Sequence, residues 1–164
     1  MLNWRLWGSL PRPKPYECFP TAGHAFVAHD RALARVETGP DWLRNPAVAA
    51  LVADTIRYGE TGRRFYELHA WMVMPNHVHI LIEPQVTVAI LMRWVKGASA
   101  RASNRLLGRT GLPFWQDESF DHYVRSTEEF VRIENNPVSA GLVNSAELWP
   151  WSSASLAGRR ACPT

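Results

Sequence analysis

The stretch MPNHVHILIEP, residues 74–84, places two histidines one residue apart inside an apolar run. Successive side chains of a β-strand point to opposite faces of the sheet. His77 and His79 are therefore predicted to share one face with Leu81, while the intervening valine and isoleucines face the other way. Imidazole is a common metal ligand, so the pair indicates a metal site. The alternative is a pair of half-exposed histidines on a polar sheet face.

The segments around this strand predict a ferredoxin-like α+β sandwich. Residues 63–74 predict a second strand, joined to the histidine strand by the turn-forming Pro75-Asn76 pair. A helix is predicted over residues 45–59, with Asn45 as its cap, Gly59 at its end and one apolar face. A second helix, ended by Gly108, is predicted over residues 86–107.

Weaker patterns complete the predicted order of strand, helix, strand, strand, helix, strand. HAFVAHD, residues 24–30, is the candidate first strand, and residues 108–125 mix loop and extended signals. Ser126 and Glu129 predict a capping box that opens a C-terminal helix near residues 127–135. The expected architecture is a central antiparallel sheet carrying the histidine pair, with helices on one face. The expected domain boundaries are an irregular, proline-containing arm over 1–23, one domain over 24–155 and a tail over 156–164.

The composition is that of an ordinary globular domain. The chain has 164 residues, 46% of them hydrophobic and 20% charged, with a formal net charge of +3. Cys18 and Cys162 lie near opposite ends without CxxC spacing, so neither a disulfide framework nor a zinc cluster is indicated. No apolar run has transmembrane length, and the N-terminus lacks the apolar core of a signal peptide. A cytoplasmic location without a membrane partner is the expectation.

The second predicted helix is basic on its exposed side. From Leu91 to Gln116 the sequence contains no acidic residue. Ile90, Trp94, Val95, Ala98, Ala102 and Leu106 are the predicted buried stripe. A helix face of one charge sign suits contacts with phosphates, although such a run is also typical of a solvated surface. The candidate DNA-binding residues are the five cations of this segment, namely Arg93, Lys96, Arg101, Arg105 and Arg109.

Four ordered blocks resemble a known family. WMVMPNHVHILI, residues 71–82, resembles the His-hydrophobic-His signature of the HUH endonuclease superfamily. Together with FWQDESFDHYVRSTEEF, IENNPVSAGLV and WPWSSA, it is similar to REP-associated tyrosine transposases. These are domesticated relatives of the single-tyrosine HUH insertion-sequence transposases, the IS200-like superfamily. The resemblance covers roughly residues 30–155.

The resemblance implies a ferredoxin-like fold, single-stranded or hairpin DNA as partner, and a divalent metal. The metal is expected to be Mg²⁺, with Mn²⁺ as an alternative, and its ligands His77, His79 and Asn136. The implied reaction is DNA strand cleavage and joining, in which the metal orients the scissile phosphate for attack by a tyrosine. The resemblance leaves the oligomeric state open between monomer and homodimer.

The expected nucleophile is missing from this sequence. The family tyrosine lies four residues before the asparagine, a position that holds Arg132 here, and EEFVRIENNP is about four residues short of the family pattern. Tyr123 is a weak substitute. Three functions therefore stay open: a strand-cleaving transposase-like enzyme, a non-catalytic nucleic-acid-binding module on the same fold, and a metal-dependent hydrolase that uses water.

Overall fold

A computed structural model describes residues 1–9, 33, 39–121, 131 and 134–155. We number the elements along the chain. The strands are β1 (Leu2–Leu6), β2 (Tyr66–Val73), β3 (His77–Pro84) and β4 (Trp115–Asp121). The helices are α1 (Pro46–Thr61), α2 (Val88–Leu106) and the short α3 (Asn136–Ser139), with 3-10 turns at Trp42–Arg44 and Ala146–Leu148.

The four described strands form one antiparallel sheet in the order β2-β3-β1-β4. The chain order of strand, helix, strand, strand, helix, strand and this spatial order together define the expected ferredoxin-like α+β sandwich. The fold prediction is therefore confirmed. The histidine strand β3 is central, between its hairpin partner β2 and the first strand β1.

The position of the first strand corrects the sequence-based expectation. Residues Leu2–Leu6 form β1 in the centre of the sheet, so the predicted irregular arm over 1–23 is wrong for its first residues. Leu2, Trp4 and Leu6 alternate toward the hydrophobic core, which is the period of a strand. The four prolines after residue 10 masked this short signal. The candidate strand 24–30 lies outside the described residues.

Helices α1 and α2 pack together against one face of the sheet. Val48, Val52 and Ile56 of α1 are fully buried in the same core as Trp4 and Ile80 of the sheet. The Asn45 side chain caps α1 by accepting a hydrogen bond from Ala47 N at 3.0 Å, as predicted. The predicted stop at Gly59 is wrong, because the helix continues to Thr61.

Gly59 instead makes room for a side chain of the sheet. The Tyr66 ring lies against the Gly59 backbone, and its hydroxyl donates to Ile56 O at 2.6 Å. Burial raises the pKa of Tyr66 well above its ordinary range, and the nearby charge of Glu60 acts in the same direction. This contact fixes β2 against α1.

The buried stripe of α2 differs from the predicted one. Leu91, Met92, Val95, Ser99, Ser103 and Asn104 are buried, whereas Ile90 is 45% and Leu106 is 51% exposed. The helix is thus rotated so that Leu91, Met92 and Val95 meet the core together with small serines, in place of Ile90 and Leu106. Ser99 Oγ donates to Val95 O and accepts a hydrogen bond from Trp115 Nε1 at 2.9 Å, which ties α2 to β4.

The chain after α3 covers the outer edge of β2. Val73 N donates to Trp151 O, Ser153 N donates to Trp71 O, and Trp149 Nε1 donates to Val73 O. An edge strand exposes unpaired backbone groups, and these bonds satisfy part of that edge. The segment therefore has a packing role, and Trp149 and Trp151 are engaged with the protein.

Part of the predicted C-terminal helix falls outside the described residues. Val131 and Glu134 are helical, and the chain continues into α3 through Pro137, which occupies the first turn. The capping pair Ser126 and Glu129 lies outside the described part. Within the part of the chain that the structure describes, no helix has both the length and the apolar character needed to cross a membrane.

We predict opposite stability effects for two Gly→Ala substitutions inside helices. Alanine normally favours a helix over glycine by about 0.5–1 kcal/mol. A Cβ at Gly97 would lie 3.4 Å from the flexible end of Arg101, so Gly97→Ala should raise the free energy of unfolding by about that amount. A Cβ at Gly59 would lie 2.5 Å from Cζ and 2.8 Å from Cε1 of the buried Tyr66 ring.

Gly59→Ala should therefore lower the free energy of unfolding by about 1 kcal/mol or more, in spite of the gain in helix propensity. Urea denaturation followed by circular dichroism measures both variants. If Gly59→Ala stabilises the protein as much as Gly97→Ala does, the α1–β2 contact described above is incorrect.

Candidate metal and nucleic-acid site

The two histidines meet on the sheet face opposite the helices. His77 is 1% and His79 is 0% exposed, and their ring centroids are 4.8 Å apart with nearly perpendicular planes. His77 Nδ1 lies 2.6 Å from Asn76 Oδ1, which accepts its proton in the Nδ1–H tautomer. That tautomer leaves Nε2 as the basic nitrogen of His77, the arrangement found for histidines that bind metals. The predicted common face is confirmed.

Asn136 reaches this pair from the other end of the chain. Its Nδ2 lies 3.3 Å from His79 Nε2, and the residue is 9% exposed. The carboxamide presents its nitrogen or, after a half-turn, its oxygen at this position. Two donor atoms bound to one ion at about 2.1 Å stand roughly 3.0–3.4 Å apart at octahedral to tetrahedral angles. The separation therefore fits a shared divalent ion, and the structure brings all three predicted ligands together.

The donor set is poor in carboxylates. Among the described residues, no group of three histidine, cysteine, aspartate or glutamate side chains could hold a metal ion. Two imidazoles and one amide favour softer divalent ions over Mg²⁺, which prefers oxygen ligands. A metal held only by these groups would keep coordination positions for other oxygens, such as those of water or a phosphate.

Strand β1 adds two polar residues that sequence reasoning missed. Asn3 lies directly opposite His79 and Arg5 directly opposite His77 in the β1–β3 register. Directly opposed residues of an antiparallel pair share a face, so these four side chains form one polar patch. Asn3 is 0% and Arg5 is 6% exposed. The sequence signal for this strand was the alternation of apolar and polar residues in LNWRL, residues 2–6. It places Asn3 and Arg5 together on the face opposite the apolar residues.

Among the described residues, the charge of Arg5 is opposed by a neighbouring carboxylate on β4 without a direct ion pair. Burial lowers the pKa of the Arg5 guanidinium from its ordinary value, and the negative charge of Glu118 on β4 opposes this shift. Arginine nevertheless stays protonated in proteins. The ion pairs observed within the described residues join Arg44 to Asp41 and Arg57 to Asp54, and neither involves Arg5.

A cluster of methionines packs beside the histidine pair on the β2 side of the site. Met72 and Met74 are buried and pack with Met1, Ala140, Leu142 and Trp149. Met72 lies opposite His79 in the β2–β3 register. The chain that follows Asn136 is thus packed onto the strands beside the histidines, which holds α3 over the sheet.

The five basic candidates do not lie beside the histidines. Helix α2 covers the other sheet face, and Arg93, Arg101 and Arg105 are exposed on its outer side. Lys96 Nζ donates to the carbonyls of Gln116 and Asp117, where the β1–β4 register shifts.

Two of these cations therefore have structural partners. Burial lowers the pKa of the Lys96 ammonium, with opposing effects from Asp117 and Glu118. The Lys96 bonds tie α2 to the irregular part of β4. The Arg109 guanidinium stacks on Trp42, 4.0 Å from the ring centroid. Of the five predicted DNA-binding cations, Arg93, Arg101 and Arg105 thus remain as the exposed basic face of α2.

The described tyrosines do not reach the histidine site. Tyr66 points into the core and binds the Ile56 carbonyl of α1. Tyr58 lies in the last turn of α1 on the helix side of the sheet, and its ring centroid is 6.4 Å from that of Trp94. Arg132, which occupies the expected nucleophile position, and the weak substitute Tyr123 lie outside the described residues.

A family model and a solved structure are similar to this chain. Residues 54–132 match the family model described as "Transposase IS200 like". A solved structure of a REP-associated tyrosine transposase bound to a REP hairpin is similar over 93% of this chain and 73% of its own, with 18% identity and a TM-score of 0.48. No curated protein matches. The resemblance inferred from the sequence is thus confirmed at the level of the family: the segment from residue 54 to 132, which contains the histidine strand, matches the model of the IS200-like transposases.

Proposed function

We propose that this protein binds single-stranded or hairpin DNA on the sheet face that carries His77 and His79. The observation that carries the proposal is the meeting of this buried histidine pair with Asn136, whose amide lies 3.3 Å from His79 Nε2. The match of residues 54–132 to the IS200-like transposase model supports DNA as the substrate class. The buried cation Arg5 beside the pair supports an anionic ligand.

A divalent metal at this site is part of the proposal. His77, His79 and Asn136 would hold the ion, and Asn76 would fix the tautomer of His77 through Nδ1. When bound, the metal would polarise a phosphodiester and orient it for in-line attack. Mn²⁺ is the most suitable probe, because it accepts both the imidazoles of this site and phosphate oxygens.

For present activity we propose DNA binding with little or no strand cleavage. A phenolate must stand in line with the phosphate, and position 132 holds arginine. An arginine stays protonated and is not a nucleophile at neutral pH. Neither tyrosine of the described part supplies a substitute, since both lie on the helix side of the sheet. The non-catalytic module is therefore favoured over the cleaving enzyme, whose strand transfer remains the reaction implied by the family.

The arginines of α2 would serve a second, separate contact. The outer side of a helix lies on the order of 15 Å from the sheet it covers, because a helix with its side chains is about 10–12 Å across. A short oligonucleotide in the histidine site would not reach Arg101 and Arg105. A hairpin or a longer strand that passes around the sheet would reach both surfaces.

We predict that the histidine pair is required for metal binding. His77→Ala and His79→Ala should each weaken Mn²⁺ binding by at least about tenfold, since each removes one of three protein ligands. The binding of Mn²⁺ is measured by the loss of the free-ion signal in electron paramagnetic resonance. His69→Ala on β2 is the matched control, because His69 is exposed. Equal Mn²⁺ affinity in all three variants would remove the metal from the proposal.

We predict that the arginine face of α2 contributes to the salt dependence of binding. Arg101→Ala combined with Arg105→Ala should flatten the slope of log affinity against log salt by up to ~1.4, at roughly 0.7 per phosphate contact on a single strand. Fluorescence anisotropy at several salt concentrations measures this slope, with a long hairpin and a short oligonucleotide compared. The change should appear with the hairpin only.

Lys96→Met is the control for this experiment. It also removes one positive charge from α2, yet it should lower stability and leave the slope nearly unchanged, because Lys96 binds the β4 carbonyls. If the double arginine variant keeps the slope of the original protein, the arginines form only a solvated surface.

We predict that the protein forms little or no covalent adduct with DNA. The protein is incubated with labelled hairpin DNA and Mg²⁺ or Mn²⁺, and adducts are sought by denaturing gel electrophoresis. A robust adduct would contradict the prediction, and its mapping to Tyr123 or another tyrosine would identify the nucleophile. Release of cut ends without an adduct would instead favour the hydrolase. Arg132→Tyr is the informative second variant, because it restores a tyrosine four residues before Asn136.

A further inference from the structure

At the histidine site, two buried side chains of β1 carry polar atoms that have no hydrogen-bond partner among the described residues. Nδ2 and Oδ1 of Asn3 and Nη1 of Arg5 are inaccessible to solvent and have no hydrogen-bond partner among the described residues. Buried polar atoms are nearly always paired in folded proteins, because burial without a partner is costly. Both residues lie on β1 in the interior of the sheet, between β3 and β4. The missing partner is therefore expected to be a ligand.

The neighbours of these side chains define the chemistry of that ligand. Arg5 is opposite His77 and Asn3 is opposite His79, so the open donors lie beside the proposed metal ligands. The exposed carboxylate of Glu118 acts on Arg5 only as a coulombic neighbour and does not form an ion pair with it. A buried guanidinium next to a cation site requires a ligand that is negative and carries several acceptor oxygens. A phosphodiester meets both conditions.

We infer that Asn3 and Arg5 form a phosphate-binding subsite, in which Nη1 of Arg5 and Nδ2 of Asn3 donate hydrogen bonds to the phosphodiester positioned at the His77–His79 pair. The inference rests on the proposed DNA-binding function and specifies where the phosphate lies. The two residues are binding and positioning groups: they neutralise one phosphate charge and fix its orientation toward the histidines. No covalent step is assigned to them.

The competing explanation is that Asn3 and Arg5 support the fold. The two explanations predict opposite effects on the protein without ligand. Removing an unpartnered buried polar group in favour of an apolar one of similar size should preserve or raise stability. A structural hydrogen-bonding role would lower it. Asn3→Leu is the appropriate variant for this comparison, because the side chains have nearly equal size.

The test uses the full-length chain, Mn²⁺ and a thymidine dinucleotide, which contains a single phosphodiester. Electron paramagnetic resonance reports Mn²⁺ binding, and the ³¹P relaxation rate of the dinucleotide reports its approach to the bound Mn²⁺. Arg5→Met should keep Mn²⁺ binding and lower the affinity for the dinucleotide by about tenfold or more, the factor expected for one charge-assisted hydrogen bond. Asn3→Leu should lower this affinity by a smaller factor. Its thermal unfolding midpoint should equal or exceed that of the original protein.

Two further variants complete the design. Arg44→Met removes the same charge from an exposed turn where Arg44 is paired with Asp41, and it should change neither measurement. Arg5→Lys keeps a positive charge and should retain part of the binding; it also replaces Arg5→Met if that variant fails to fold. Unchanged ³¹P relaxation in both the Arg5 and the Asn3 variants would overturn the inference, as would a marked loss of stability in Asn3→Leu.

Failure of the proposed metal site gives a different result. If the original protein does not bind Mn²⁺, the electron paramagnetic resonance experiment shows this before any β1 variant is compared. The subsite is then tested by titrating the protein into the dinucleotide without metal and following the ³¹P chemical shift of its phosphodiester. Saturable binding that Arg5→Met abolishes supports the subsite, and binding that survives the substitution contradicts it.

Discussion

The antiparallel pairing of β1 with β3 is the constraint on which both the core and the site depend. Its register places Trp4 opposite Val78 on one face and Asn3 opposite His79 on the other. A shift by one residue would reverse every side chain of β1, burying Asn3 and Arg5 against the helices and removing Trp4 from the core. The hydrophobic gain from burying Leu2, Trp4 and Leu6 therefore also fixes the polar patch. The core therefore specifies the register that brings the site residues together.

The sheet separates the basic helix from the histidine pair. The acid-free segment and the histidine strand are neighbours in sequence. In the fold, α2 packs on one face of the sheet and the histidines lie on the other. Lys96 and Arg109 are engaged in structural contacts at the ends of this layer. Any DNA that uses both surfaces must therefore extend around the domain.

Local patterns in the sequence were sufficient for the elements that depend on local periodicity. The β2–β3 hairpin, α1 and α2, and the shared face of the histidines were predicted from alternation, capping and apolar spacing. The first strand was not predicted, because its five residues form a strand by pairing with β3 and β4, which lie far along the chain. The face of α2 was also misassigned, since the hydroxyl of Ser99 is buried by bonds to Val95 and Trp115 that composition does not reveal. Asn136 lies 57 residues from His79, and only the family resemblance connected them.

Under the proposed function, the binding groups and the nucleophile position come from different parts of the chain. His77, His79, Asn3 and Arg5 all lie on two central strands, where the pairing of β1 with β3 sets their common face. Position 132, which holds arginine, belongs to the sequence before Asn136. In the family reaction this position would supply the group that must enter in line with the phosphate, and an arginine cannot do so. We therefore expect the binding of metal and phosphodiester to be separable from strand cleavage, so tests of binding and of cutting address different parts of this protein.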